Sequence, residues 1–428
     1  MEILTSYNLI IEASVIIILS FFFGELSRKT NIPSVLMLII LGIGLKFGLD
    51  AIGGEEINFF PVLELLGIVG LIMIVLEAAL ELELKREKSI PIAKAFVIAL
   101  VGLLLSIWVA ALILHHFIPD MSMQAAWLYA TPLSILSSAI IIPSVSGLNE
   151  VKKEFHIYES TFSDILGIMV FYFLSGQMDA AEHSSGFIGF GGNVLLTVVL
   201  SLIASYLIVL IFQKIKTHTK LFLLIAVLLL LYSVGKKMHL SSLIIILVFG
   251  LLIANMPLFF RGRMKQWLHM EKAKEIYEGL HIITMETAFV VRTFFFVIFG
   301  ITISLTSLAS LNVAMISGLI IVSIYVIRFV VLRIFVGKDI VPQLFIAPRG
   351  LITILLFYAI PPNARVANFE AGILLFIIIA TSLIMTIAMI YDKQRTSRAV
   401  RKAQDAPVGY ERWKAPTIET IAGKVDKH

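Results

Sequence analysis

Apolar runs of about 17 to 25 residues recur from the first ten residues to Tyr391, and no polar stretch before that point is long enough for a separate domain. A helix needs about 20 residues to cross the hydrocarbon of a bilayer. The pattern therefore predicts an all-α polytopic membrane protein. Composition agrees: 59% hydrophobic and 15% charged residues, with a mean hydropathy of +0.98, exclude a soluble globule of ordinary make-up. The chain has no cysteine, which excludes disulfides, thiolate metal sites and cysteine nucleophiles. The opening "MEILTSYNLIIEASVIIILSFFFGELSRKT" has no basic leader or small-residue cleavage site and reads as a first span that stays in place.

The runs place about thirteen spans near 8–24, 33–49, 61–80, 91–116, 124–147, 156–176, 191–213, 220–235, 240–255, 279–304, 310–336, 341–361 and 367–391. The eighth and ninth are short enough that one of them could be re-entrant. Loop charge tests the count, because lysine and arginine gather on the cytoplasmic side. Odd-numbered loops hold Arg28, Lys29, Lys85, Arg86, Lys152, Lys153, Lys214, Lys216, Arg261, Arg263, Lys265 and Lys338, among others; even-numbered loops hold only Lys236, Lys237 and Arg365, with Asp50, Glu55 and Glu56 in the second. The N-terminus is expected outside and the C-terminus in the cytoplasm, as an odd span count requires. The link from Met256 to Gly279 reads as a connector or as an interfacial amphipathic helix. The basic tail, 393–428, is expected to be disordered or weakly attached to anionic lipid.

Two spans are interrupted. The fifth reads "ATPLSILSSAIIIPSVSG", with Pro132 and Pro143 bracketing Ser134, Ser137 and Ser138; the twelfth reads "IVPQLFIAPRGLITILLFYAIP", with Pro348, Arg349 and Gly350 in mid-span. Proline frees backbone carbonyls, which a bilayer tolerates only beside protein partners or a wet cavity. Seven spans apart, the two run in opposite directions, the pattern of inverted repeats whose half-helix ends meet at a midplane site. Proline kinks that are purely structural are the simpler alternative.

The sixth span carries two carboxylates in "YESTFSDILG", each costing roughly 2.5 to 3.5 kcal/mol to insert. Ser160, Asp164 and Gly167 share one helix face, while Glu159 and Ser163 share another about 140° away. Glu159 is expected to pair with Arg349, and Asp164 to face a cavity unpaired. A bare carboxylate there binds a proton or a small desolvated cation in competition. Glu77, Glu286, Arg292 and Arg328 are the other intramembrane charges. Glu77 reads either as a cavity ligand or as the cytoplasmic end of its helix; Arg292 reads as the counter-charge of Glu286 or Glu77, or as the group that neutralises Asp164 when empty.

These residues carry a family resemblance. The chain resembles the monovalent cation:proton antiporters, most closely the NhaP-type sodium:proton exchangers, over nearly all of residues 1–392. "ESTFSD" is similar to the family's Glu-Ser-x-x-Asn-Asp pattern at Glu159, Ser160 and Asp164, with Ser163 in place of the asparagine. "PRGLITILLFYAIP" is similar to its Arg-Gly segment, and "LEAALELELK" and "FFFVIFGITIS" to its third- and tenth-helix segments. The family's fifth-helix Thr-Asp-Pro becomes Thr131-Pro132 without the acid, and the following "SILSSAIIIPSV" resembles Kef-type potassium:proton systems. The resemblance implies exchange of a monovalent cation for protons by an elevator movement of Asp164, with Ser160, Thr131, Ser163 and Glu77 as further candidate ligands. It also implies a homodimer, with scaffold helices in about 1–80 and 191–304 and moving core helices in about 91–176 and 310–391. Without a second acid beside Asp164, the expected cycle is electroneutral.

A cation channel, or a membrane sensor that transports nothing, is the alternative on the same scaffold. No His-Glu-x-x-His, nucleophile elbow or Walker-type loop occurs, so enzyme chemistry is not expected. No cofactor, nucleic-acid partner or metal beyond the transported monovalent cation is implied. The expected location is a bacterial inner membrane.

Overall fold

The computed structural model describes residues 6–30, 33–52, 60–82, 84, 86–178, 186–215, 220–238, 242–260, 266, 269–302 and 310–405. Glu55, Glu56, Lys85, Lys216, Arg261, Arg263, Lys265 and the tail after Asp405 lie outside them. Among the described residues all regular structure is helical. The α-helices are α1 Ser6–Thr30, α2 Ser34–Ile52, α3 Phe60–Glu81, α4 Ser89–Phe117, α5 Met123–Ser134, α6 Ser138–Ser144, α7 Glu150–Met178, α8 Gly186–Phe212, α9 Lys220–Lys237, α10 Ser242–Ala254, α11 Met256–Phe259, α12 Met270–Thr302, α13 Leu311–Phe335, α14 Leu351–Tyr358 and α15 Gly372–Asp405. Seven helical stretches among the described residues, with α5 and α6 taken as one, are long and apolar enough to cross a membrane.

The elements follow local chemistry. Ser122 starts α5 by accepting the Ala125 amide at 3.1 Å, and Asn149 starts α7 by accepting the Lys152 amide at 2.8 Å. The fifth hydrophobic run is two helices, because the chain is extended at 135–137 between its prolines. The twelfth becomes α-helical only at Leu351: a short 3-10 turn at Gln343–Phe345 and the non-helical Ile346–Gly350 lead into it. Two expectations need correction. The link after Met256 is a short turn of helix whose later residues join α12, which begins at Met270 rather than near 279. The first part of the expected disordered tail is the continuation of α15 to Asp405.

Two sets of helices pack more closely within themselves than with each other. In one, α4 lies against α5, α7 and α13, and α13 against α15; in the other, α12 lies against α2 and α3, and α10 against α3, α8 and α9. Apolar side chains in lipid gain nothing from leaving lipid, so such packing relies on close approach of the backbones. Gly42 of α2 and Gly300 of α12 provide it. A Cβ on Gly42 would run into the Val297 carbonyl, and one on Gly300 would stand 2.5 Å from the Ile39 carbonyl. Backbone cannot yield as a flexible side chain does. Gly300→Leu is therefore expected to lower stability by about 2 to 3 kcal/mol, read as earlier thermal unfolding in detergent. Gly102→Leu, at a position with open space around it, should change little.

Candidate functional site

The unwound segments of the two interrupted runs meet. The Ser137 amide donates to the Pro348 carbonyl at 3.0 Å, and the Leu136 amide to the Ser163 hydroxyl at 3.0 Å. Gly350 suits this close approach, since a Cβ would sit 2.5 Å from the Ser137 hydroxyl oxygen and 3.0 Å from the Ser137 Cβ, and Ser137 would have to shift. The last carbonyls of α5 have no helical partner and lie at the negative end of its dipole. Arg349, buried, fills that position. Its Nε donates to Leu133 O at 3.0 Å, Nη2 to Ser134 O at 3.1 Å and Nη1 to Ala347 O at 2.7 Å, while its backbone amide donates to Thr381 Oγ1 at 3.1 Å.

Arg349 is thus committed to carbonyls, and the expected Glu159–Arg349 pair is not formed. Glu159 pairs instead with Arg328 of α13, in a two-point contact of 2.7 and 2.9 Å. The planar guanidinium matches the carboxylate fork. Arg328 Nε is fixed by Gln343 O at 3.0 Å, and His156 Nδ1 stands 3.4 Å from Glu159 Oε2. Depth explains the choice of partner. Glu159 lies nine residues into α7 and Arg328 seven residues before the end of α13, about 13 and 10 Å at 1.5 Å per residue. The two ends are side by side, because Lys152 reaches Val341 O at 2.9 Å and Asp339 at 3.0 Å. Arg328 was visible in sequence as a mid-span charge; His156, Gln343 and Thr381 carried no signal as partners.

Asp164 is the middle residue of α7 and is 2% exposed. No basic group pairs with Asp164 among the described residues, and the polar groups close to its carboxylate are the hydroxyl and backbone amide of Ser138, at the start of α6. A cavity of about 20 Å³ opens beside it, walled by Ile74, Val75 and Ala78 of α3, Leu243 and Leu247 of α10 and Ile352 of α14. This is room for about one water molecule. It lies at the seam between the two helix sets. A separate cavity of about 30 Å³ between α4 and α13 touches Glu159, Ser163, Ser134, Arg328 and Arg349, so the two carboxylates face different surroundings, as their helical spacing requires.

The Ser160 hydroxyl donates to His156 O at 2.7 Å and the Thr131 hydroxyl to Trp127 O at 2.8 Å, which leaves each oxygen able to accept. Glu77 lies against Arg292 of α12 at 3.6 Å and does not line the Asp164 cavity. Glu286 is exposed on α12 and makes no ion pair among the described residues, so Glu77 is the counter-charge that Arg292 meets. Pro132 and Pro348 flank the crossing without lining either cavity.

The family model for the sodium/hydrogen exchanger, transmembrane, matches residues 15–392. The fold is similar to that of the sodium proton antiporter MjNhaP1 from Methanocaldococcus jannaschii. Its structure at pH 8 aligns with a TM-score of 0.66 and 19% identity, covering 89% of this chain and 98% of that one. An electron-microscopy map of the same antiporter gives 0.63 and 18%, covering 93% and 98%. From its first apolar runs to the end of its last, this chain belongs to the sodium/hydrogen exchanger family of membrane transporters.

Proposed function

We propose that this antiporter exchanges one monovalent cation for one proton without net charge movement, with Asp164 holding either in turn. Asp164 itself carries this reading: a carboxylate at the middle of a membrane helix, buried and without a counter-charge among the described residues, beside a cavity at the seam of two helix sets. Charge left bare in such a place is expensive, and a proton and a small cation compete for the same two oxygens. One carboxylate then exchanges one charge for one charge.

The oxygens of Ser138, Ser160, Ser163 and Thr131, with carbonyls of the unwound segments, complete the cation's ligands. The set built on α4–α7 and α13–α15 is the moving core; the set built on α1–α3, α8–α10 and α12 is the scaffold and dimer contact. The apolar wall of α3 and α10 supports alternating access, because a loaded, neutral Asp164 passes it where a bare one is held back. Thirteen spans, inverted repeats crossing at the two unwound segments, an outside N-terminus and a bacterial inner membrane belong to the same reading. MjNhaP1, a sodium proton antiporter, supports sodium as the first cation to test, with lithium and potassium beside it.

The test is a pH-gradient dye in proteoliposomes. Added cation is expected to collapse the gradient at a rate that does not change with the clamped membrane potential. A current would end the one-for-one cycle. Cation flux without proton counterflow would identify a channel, and no flux of either ion a sensor.

A further inference from the structure

We propose that Asn255 is the scaffold-side anchor of the connection about which the core moves, a reading that rests on the alternating access proposed above. The connection joins the end of α3 to the start of α4. Asn255 follows α10 and is buried. Its side-chain oxygen accepts the Leu84 amide at 2.6 Å, and its amide nitrogen donates to Leu82 O at 2.8 Å and to Leu251 O at 3.0 Å. Leu82 and Leu84 are outside the helix, and one carboxamide takes a donor from one and an acceptor from the other, as a neighbouring strand would. That fixes both the position and the direction of the backbone on α10.

Tyr277 of α12 donates to Leu80 O at 3.3 Å, a second tie on the last turn of α3. On the other side, Lys88 pairs with Glu154 of α7. The chain therefore passes from one helix set to the other between Leu84 and Lys88, and the clamp holds the α3 side of that passage in place. Without it the Leu82 carbonyl just past α3 and the Leu84 amide lose their side-chain partner, and bending spreads into the helix whose Ile74, Val75 and Ala78 wall the Asp164 cavity. Asn255 is a positioning residue that acts through the α3 wall.

The chain's lack of cysteine allows a direct test. Spin labels at Val151→Cys on α7 and Phe222→Cys on α9, both exposed positions, report the distance between the two sets by double electron–electron resonance. Asn255→Ala is expected to broaden that distribution and to lower turnover per folded molecule several-fold. Asn255→Asp, which keeps the acceptor for Leu84 and loses the donor to Leu82, should fall between. If Asn255→Ala does not fold, Tyr277→Phe, which removes only the second tie, should shift both readouts the same way by less. An unchanged distance distribution, with turnover either unchanged or lost only as folded protein is lost, overturns the proposal. Distances that respond to Asn255 in a protein without cation-driven proton flux support the anchor and overturn the exchange reading instead.

Discussion

Asparagine in place of Asp164 is expected to reduce cation-driven proton flux to the level of protein-free vesicles while the protein folds as before. The two side chains have nearly the same shape, Asp164 has no ion pair to lose among the described residues, and the asparagine side-chain oxygen can still accept from Ser138. What changes is chemistry: an amide neither takes up a proton nor balances a cation. Removing a buried charge also removes its desolvation cost, so thermal unfolding should come at the same temperature or higher. That combination, activity lost and stability kept, separates a carrier from a structural acid. Normal exchange by Asp164→Asn would sink the assignment. Loss of exchange together with loss of folded protein would recast Asp164 as part of the packing.

Much of this arrangement could be read in the sequence, for reasons that differ by element. Apolar runs locate the helices because a bilayer requires a minimum length, and Pro132, Pro143 and Pro348 mark which runs are interrupted, although Pro132 and Pro143 themselves lie within α5 and α6 and the break falls between them at 135–137. Helical spacing separated Glu159 from Asp164 correctly, since it depends on α7 alone. Partners were harder. Arg349 sits in a notable motif and Arg328 in an ordinary apolar run, yet the pairing depends on which helix end lies beside α7. Contacts between helices decide that, and local sequence does not. The commitment of Arg349 to Leu133 O and Ser134 O depends on carbonyls exposed by the break, which no residue type announces. The link before α12 and the start of the tail are polar, and polarity alone does not distinguish a solvated helix from a loop.

Truncating Arg328 to alanine should destabilise the protein by about 3 to 5 kcal/mol, the usual cost of stranding one member of a buried ion pair. Glu159 is 1% exposed and takes both its short contacts from that guanidinium. Its remaining neighbour, His156, stands 3.4 Å away and is fully buried, a poor substitute for a forked donor. Thermal unfolding in detergent measures the loss, and a second substitution identifies its cause. Arg328→Met combined with Glu159→Gln removes both charges and should recover most of the stability, because the cost is the uncompensated carboxylate rather than missing volume. Arg349→Ala should behave differently. It leaves neutral carbonyls of α5 unpaired, so Glu159→Gln on that background should rescue nothing. If Glu159→Gln restored Arg349→Ala and not Arg328→Met, the guanidinium facing Glu159 in the folded protein would be the one before α14 and not the one on α13.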